Sequence, residues 1–263
     1  HHHHNPMLTK KASVLNNKTP IQRGDSFRMS VSAQQPQHTS GSGGVNFESL
    51  KRGGNNNKED DLIFLKEPTD KSITDLLKSR FQQDHSIYTY MSSNLIAVNP
   101  LTTTTTSTFT TTTVNMDNTV ENENDERERR IQEHYHNTLT YSNVPHLYSI
   151  AEEAYRNMKK RGNGQLILIN GESGSGKTYS ARVLIHYLTR VGVNGLLTEN
   201  IRRTIVGAND VLQAFGNAKS VHNDNSSRFG SYVHLFYNFK GEISGAHFTA
   251  IQLDKYRVVK QRE

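Results

Sequence analysis

The chain of 263 residues contains no cysteine, which excludes a disulfide framework. It also contains no apolar run that approaches the roughly 20 residues needed to span a bilayer. The N-terminus lacks the apolar segment of a signal peptide, and the sequence shows no lipidation motif. These absences argue against a secreted disulfide scaffold and against a membrane span, and they are typical of a cytoplasmic protein.

Apolar side chains are also scarce, and the excess of basic charge lies at one end of the chain. Hydrophobic residues make up 33% of the sequence, a low fraction which predicts that part of the chain is not packed. Residues 1–58 hold eight of the 31 Lys and Arg but only two of the 25 Asp and Glu, so the remaining residues balance at 23 of each sign. Because this segment is rich in Ser, Asn, Gln and Gly, we predict a disordered basic tail. Such a tail either contacts acidic partners or is simply solvated.

Residues 171–178 read Gly-Glu-Ser-Gly-Ser-Gly-Lys-Thr and match the phosphate-loop pattern G-x-x-x-x-G-K-[ST]. The apolar run 165–169 before them predicts a buried strand, and the one-sided apolar pattern of residues 179–188 predicts a helix. A glycine-rich turn between a strand and a helix lets backbone N–H groups surround an anion, and the helix N-terminus adds partial positive charge. A Gly/Ser linker is the alternative, but it explains neither the strand nor the helix.

The last two residues of this loop have specific predicted roles. Lys177 supplies a positive charge for the β- and γ-phosphates, and the Thr178 hydroxyl is placed to ligate Mg²⁺. The predicted nucleotide-binding residues are those of the whole loop: Gly171, Glu172, Ser173, Gly174, Ser175, Gly176, Lys177 and Thr178. The sequence therefore predicts a site for a Mg²⁺-bound nucleotide.

A second polar motif follows about fifty residues later, where residues 214–219 (Ala-Phe-Gly-Asn-Ala-Lys) lead into residues 223–230 (Asn-Asp-Asn-Ser-Ser-Arg-Phe-Gly). Asn, Ser, Ser and Arg in one short segment offer an amide, two hydroxyls and a guanidinium, which are the groups needed around a γ-phosphate and its metal. The alternative is a polar surface turn, because Asn and Ser are common turn formers.

Together the two motifs resemble the head of a myosin, with residues 223–230 in the place of its first switch. Other segments in the same order are similar to that family: 87–90 and 95–100 before the loop, 145–158 as the helix that precedes it, and 242–246 and 253–258 after the switch. The resemblance covers roughly 59–100 and 137–259. It implies an α/β fold, the P-loop NTPase core of a myosin motor head, with a mixed sheet flanked by helices and a β-hairpin after the first switch. The motor head that it implies is incomplete.

The resemblance also implies roles for individual residues. Ser227 is the second protein ligand of Mg²⁺ beside Thr178, Asn223 contacts the phosphates, Ser226 sits beside the attacking water, and Arg228 pairs with a carboxylate of the second switch. The implied catalytic residues are thus Lys177, Asn223, Ser226 and Arg228. The implied cofactors are ATP and Mg²⁺.

Asn99 is the residue that the resemblance places on the adenine side of the site. Myosins usually continue from Asn-Pro into a segment with a tyrosine that faces the base. Here Pro100 is followed by Leu101 and threonines, with no matching tyrosine. We therefore expect weak discrimination between ATP and GTP.

The predicted organisation is a tail at residues 1–58 and a partial motor domain at 59–263, interrupted by a low-complexity insertion at about 101–136. This insertion begins with a Thr-rich run and continues into a highly charged stretch at 121–130, and we expect it to lie outside the core. The remaining pattern predicts a helix at 72–81, one strand-like segment at 88–98, a helix from Pro145 to Gly162 with Glu152 on its polar face, and a hairpin formed by 232–237 and 243–253.

The functional expectation is the ATP-binding portion of a myosin motor that hydrolyses Mg-ATP to drive movement along actin filaments, in the cytoplasm and associated with the cytoskeleton. Actin is the partner that the resemblance implies, with light chains only if the full protein has a neck; we expect no nucleic-acid partner. Residues 1–263 contain no Asp-x-x-Gly segment that resembles a second switch. The alternatives are therefore a truncated or degenerate head that binds nucleotide without efficient hydrolysis, and a basic scaffold whose tail carries the function.

Overall fold

The computed structural model describes residues 10–16, 26–31, 51, 60–82, 86–100, 123–139, 142–220 and 223–253. Its strands are β1 (Lys10–Asn16), β2 (Ser26–Val31), β3 (Tyr88–Met91), β4 (Asn94–Ala97), β5 (Gln165–Asn170), β6 (Asn217–Ser220), β7 (Asn223–Ser227), β8 (Gly230–Tyr237) and β9 (Ile243–Ile251). Its helices are α1 (Asp70–Gln82), α2 (Glu123–Asn137), α3 (Leu147–Arg161), α4 (Lys177–Val191) and α5 (Leu196–Gly216). A short 3-10 turn spans Leu62–Phe64.

Seven of these strands form one mixed sheet in the order β3-β4-β1-β5-β2-β8-β9. Strands β2 and β5 run parallel, while the other neighbours in this sheet are antiparallel. Strands β6 and β7 form a separate antiparallel pair. Helices α3 and α4 pack on β5 and on each other, and α5 packs on α4 and β9. The predicted α/β architecture is confirmed, including the hairpin β8–β9 that follows the first switch.

The core lies between the sheet and helices α3 and α4. Side chains alternate between the two faces of a strand, so Ile167 of β5 and Leu235 of β8 are fully buried while Leu168 is 37% exposed. The buried strand residues join one cluster with Leu184 and Leu188 of α4. This packing fixes the end of β5 relative to the start of α4, which is where the phosphate loop connects them.

Helix α3 forms as its apolar periodicity predicts and has a cap at each end. The His146 side chain accepts a hydrogen bond from the Tyr148 N–H at 3.1 Å, and Gly162 ends the helix in a left-handed conformation with φ of 65°. Helix α5, which our sequence analysis did not predict, spans 21 residues. In the part of the chain that the structure describes, no helix has an apolar stretch long enough to cross a membrane.

The prediction of disorder for residues 1–58 is wrong for two segments, because Lys10–Asn16 and Ser26–Val31 are strands β1 and β2. Strand β1 pairs antiparallel with β5 over Lys11 to Asn16, and β2 pairs parallel with β5 and antiparallel with β8. Sheet pairing uses backbone N–H and C=O groups, which every residue type except proline supplies in full. A prediction based on side-chain composition does not take these backbone hydrogen bonds into account.

The charged stretch that we expected outside the core is helix α2, and one face of it is buried. Tyr135 is 1% exposed and Gln132 is 4% exposed. The Tyr135 hydroxyl donates to the Val144 carbonyl at 3.2 Å, and the Gln132 amide donates to the Tyr148 hydroxyl at 3.3 Å. The expectation for residues 101–136 is therefore wrong from Glu123 onward, because a high average charge conceals an inward-facing side. The Thr-rich run lies outside the described residues.

The single strand-like segment predicted at 88–98 is a tight hairpin of β3 and β4. Ser92 lies at the turn with a φ of 56°, and its N–H donates to Asp61 Oδ1 at 3.0 Å. The last residues of the segment then lead out of β4 to Asn99, at the phosphate loop. The hairpin therefore brings this asparagine to the site from a part of the chain far away in sequence.

Candidate nucleotide-binding site

The phosphate loop, residues 171–178, connects the end of β5 to the start of α4. Gly174 and Gly176 have φ values of 76° and 81°, a left-handed conformation that residues with a Cβ rarely adopt. Gly176 is the N-cap of α4 and makes no side-chain cap, so the first N–H groups of the helix remain directed toward the loop. This geometry offers backbone N–H donors and the positive end of a helix dipole, which suits an anion.

Lys177 lies beneath the loop and is held by it. Its Nζ donates to the carbonyl oxygens of Gly171 at 2.6 Å and Glu172 at 2.7 Å, and the residue is 5% exposed. Removal from water lowers the pKa of the Lys177 ammonium, while the nearby Glu172 carboxylate acts in the opposite direction. The loop therefore places a partly desolvated cation directly against its own backbone.

Ser175 adds a buried hydroxyl to the same loop. The residue is 3% exposed, and its Oγ has no hydrogen-bond partner among the described residues. A buried hydroxyl without a partner costs free energy, on the order of 1–3 kcal/mol. A bound phosphate oxygen is an acceptor that would satisfy this hydroxyl. Glu172 and Ser173, by contrast, have exposed side chains at the outer rim.

The two hydroxyls predicted to ligate Mg²⁺ face each other across the site. Thr178 Oγ1 lies 3.4 Å from Ser227 Oγ, although 48 residues separate them in the chain. Ser227 is the last residue of β7, and Thr178 is in the first turn of α4. Two oxygen ligands at this separation suit a small hard cation that completes its coordination with phosphate oxygens and water.

The other residues of the first switch (residues 223–230) surround this pair. Ser226 is 2% exposed, and its Oγ accepts a hydrogen bond from Arg228 Nη1 at 3.4 Å. The Arg228 N–H donates to the Gly216 carbonyl at 3.1 Å, which anchors the switch to the end of α5. Asn223 begins β7, and its side chain lies outside what the structure describes.

The structure brings Asn99 to the phosphate loop, where its Nδ2 donates to the Gly174 carbonyl at 2.5 Å. Two residues that the sequence analysis did not assign also belong to the site. Ser227 Oγ lies 3.1 Å from Gln213 Oε1 and 2.8 Å from Asn217 Oδ1. Asn217 stands inside the motif at 214–219, but its side-chain contact depends on how α5 meets β6, which the sequence pattern does not reveal.

Comparison with known proteins decides the family. The protein-family model described as Myosin head (motor domain) matches residues 59–263. The chain belongs to the myosin head family. Unconventional myosin-Ib of Mus musculus is 36% identical over 202 residues, which cover 76% of this chain and 16% of that protein. Myosin ID heavy chain of Dictyostelium discoideum is 36% identical over 202 residues, with 77% and 16% covered, and unconventional myosin-IXAa of Danio rerio is 37% identical over 202 residues, with 77% and 7% covered.

The resemblance inferred from the motifs is thus confirmed, and the chain spans less than a fifth of the length of these three myosins. The residues of this myosin head also fit a Mg²⁺-nucleotide by their chemistry. The loop supplies backbone donors, an ammonium and an unsatisfied buried hydroxyl at Ser175. Thr178 and Ser227 would supply neutral oxygens to a metal, which would leave the phosphates to provide negative charge.

Proposed function

We propose that this chain is the ATP-binding portion of a myosin motor, which hydrolyses Mg-ATP to drive movement along actin filaments in the cytoplasm. The observation that carries the proposal is the pairing of Thr178 and Ser227, 3.4 Å apart, beside the desolvated Lys177. Family membership supplies the motor activity, and actin as partner follows from the family alone.

In this proposal the phosphate loop binds the polyphosphate through its backbone N–H groups and the N-terminus of α4. Lys177 neutralises charge on the β- and γ-phosphates, and the negative phosphates in turn favour its protonated form at Nζ. Thr178 and Ser227 hold Mg²⁺, which when bound neutralises developing charge on the phosphate oxygens. Asn99 and Gly174 close the side of the loop toward the base.

The first switch would position the water that attacks the γ-phosphate in line with the leaving group. Ser226 is buried and accepts from Arg228, so its hydroxyl proton is directed elsewhere and can pass between the water and the phosphate oxygens. Arg228 holds Ser226 through its guanidinium group, and it holds the end of α5 through its backbone N–H. Asn223 is proposed as a further phosphate contact.

Binding of a fluorescent ATP analogue tests this proposal. Lys177→Ala should weaken binding at least tenfold, because it removes the only full positive charge in the loop. Thr178→Ala should weaken binding in Mg²⁺ but not in EDTA, because its hydroxyl acts through the metal. Lys160→Ala, an exposed lysine at the end of α3, serves as control and should bind as the unaltered chain does. Equal affinities for all four proteins would contradict the proposal.

Steady-state phosphate release separates a motor fragment from a head that only holds nucleotide. Hydrolysis requires charge stabilisation on several sides of the γ-phosphate at once. We expect slow turnover by the 263-residue chain, and a Ser226→Ala variant should lower it further while leaving affinity unchanged. Nucleotide binding without any turnover would favour a head that only holds nucleotide. Sedimentation with actin filaments, with and without ATP, tests whether actin is the partner of this chain.

A further inference from the structure

Ser227 stands at the centre of a polar cluster that extends beyond the proposed ligands. Its Oγ lies 3.4 Å from Thr178 Oγ1, 3.1 Å from Gln213 Oε1 and 2.8 Å from Asn217 Oδ1. Gln213 belongs to the last turn of α5, and Asn217 is the first residue of β6. Neither residue reaches the phosphate loop in any contact that the structure describes, so their effect on the site passes through Ser227.

The hydroxyl of Ser227 has one proton and two lone pairs. Gln213 Oε1 and Asn217 Oδ1 are both acceptors, so each competes for that single proton. The Asn217 amide is fixed in this orientation, because its Nδ2 donates to Asn225 Oδ1 at 3.0 Å and leaves Oδ1 facing Ser227. Asn217 is also the nearer acceptor, at 2.8 Å against 3.1 Å for Gln213. The proton is therefore drawn toward the side of the cluster formed by the α5–β6 junction.

With the proton held on that side, the lone pairs of Ser227 are available toward Thr178. A serine that ligates a cation must present a lone pair to it, and the cation makes the remaining proton more acidic, so a firm acceptor for that proton strengthens the ligand. We propose that Asn217 and Gln213 are positioning residues for the metal, which orient the Ser227 hydroxyl so that its oxygen, with that of Thr178, faces one Mg²⁺. This inference rests on the proposed function of the site.

The backbone around these two residues makes the arrangement specific. Asn217 pairs with Ser227 in the register of β6 and β7, so the two side chains start from adjacent positions on neighbouring strands. Gly216 lies between Gln213 and Asn217, and its carbonyl accepts the Arg228 N–H at 3.1 Å. The acceptors and the serine are thus attached to the same short junction, and a change in α5 is transmitted directly to the metal ligand.

The Mg²⁺ concentration that half-restores binding of a fluorescent ATP analogue, measured on the full 263-residue chain, tests this inference. Asn217→Leu and Gln213→Leu keep the approximate size of each side chain and remove the acceptor. Because either acceptor partly replaces the other, the double variant should show the largest effect, an increase of roughly 10- to 100-fold in the Mg²⁺ requirement. Asn217→Asp retains an acceptor oxygen, so the Mg²⁺ requirement of this variant should stay close to that of the unaltered chain. Asn200→Leu, at an exposed position of α5, is the matched control and should change nothing.

Two further measurements separate positioning from structural damage. Affinity for the nucleotide in EDTA and the thermal unfolding midpoint of the nucleotide-free chain should be nearly the same in the double variant and the control. A double variant with an unchanged Mg²⁺ requirement, or one that loses binding equally in EDTA, would overturn the inference while the unaltered chain still supports the proposed function. If the unaltered chain binds no nucleotide, the proposed function fails and the inference fails with it.

Discussion

In the phosphate loop the contacts that hold Lys177 come from the loop itself, whereas in the first switch the contacts that hold Ser227 come from α5 and β6. Lys177 donates to Gly171 and Glu172, six and five residues away. Ser227 depends on Gln213 and Asn217, fourteen and ten residues away on other elements. The two halves of one site are therefore held in place by different parts of the fold.

The supports beneath the two halves differ as well. Helix α4 carries the loop, and its Leu184, Tyr187 and Leu188 are fully buried in the main core. The first switch lies on a two-stranded pair outside the large sheet, and it is anchored by the Arg228 N–H and by the buried Phe229. This difference implies that mutation can disable the metal half of the site while the phosphate half keeps its shape, and that damage to the core affects both halves together.

The largest effect is expected from the support of α4. The Tyr187 hydroxyl donates to Glu152 Oε2 at 2.9 Å, and the same fully buried carboxylate pairs with Arg156 and with His136 at the end of α2. Glu152→Ala should lower the free energy of unfolding by about 3 kcal/mol. This is the lower end of the range for a buried pair, because Arg156 and His136 are 38% and 42% exposed and can turn to water.

Urea unfolding followed by circular dichroism measures this loss. Glu133→Ala, at an exposed position of α2, is the control and should change stability by less than about 0.5 kcal/mol. The nucleotide affinity of the folded fraction should be unchanged in both variants, because neither residue contacts the loop in the structure. Equal stability of the two variants would show that Glu152 does not support α4.

The next effect concerns the support of the switch. A Cβ on Gly216 would lie 1.9 Å from the ring of Phe229, which is buried, so Gly216→Ala forces the ring or the strand to move. Overpacking of this kind should cost about 1–3 kcal/mol of stability. Since the Gly216 carbonyl also holds Arg228, we expect the Mg²⁺ requirement for nucleotide binding to rise while affinity in EDTA is retained.

Gly207→Ala is the matched control, because Gly207 lies on the same helix and an added Cβ meets no atom within 4 Å. That variant should be more stable by up to about 1 kcal/mol, owing to the better helix propensity of alanine. If Gly216→Ala lowers affinity equally with and without Mg²⁺, the two halves of the site are not separable in the way that their contacts indicate.

The phosphate loop could be predicted from the sequence because its geometry is local. The positive φ angles of Gly174 and Gly176, the strand before them and the helix after them all follow from contiguous residues. The role of Thr178 came from the phosphate-loop pattern and that of Ser227 from the family resemblance, and the structure places the two hydroxyls together. The contacts of Gln213 and Asn217 could not be predicted, since they depend on the angle at which α5 meets β6.

Helix α3 shows the same limit in the core. Its periodicity predicted the helix but placed Glu152 on the polar face, whereas the side chain is fully buried. Besides Arg156, one turn along the same helix, the partners that make this burial tolerable are Tyr187 of α4 and His136 of α2, and neither of these two is near Glu152 in sequence. Helical periodicity describes how one helix meets water, and it does not reveal that a second helix covers the polar face.

The smallest effect is expected at the contact between the two supports, where α4 packs on α5. His186 of α4 is half-buried, and desolvation, followed by the charges of Arg182, Arg202 and Arg190, lowers its pKa from 6.5 to about 3. The unfolded chain therefore binds a proton below pH 6.5 that the folded chain does not, so the free energy of unfolding falls as the pH drops through this range. At pH 5.5 the loss is about 1.3 kcal/mol relative to neutral pH.

The prediction is that His186→Gln removes this part of the acid sensitivity. Urea midpoints measured between pH 7.5 and 5 should fall less steeply for His186→Gln than for the unaltered chain, whatever the difference at pH 7.5. His247→Gln, at an exposed position on β9, is the control and should keep the original slope. An identical pH profile for His186→Gln and His247→Gln would show that His186 is hydrated in solution and that the α4–α5 contact is looser than its burial indicates.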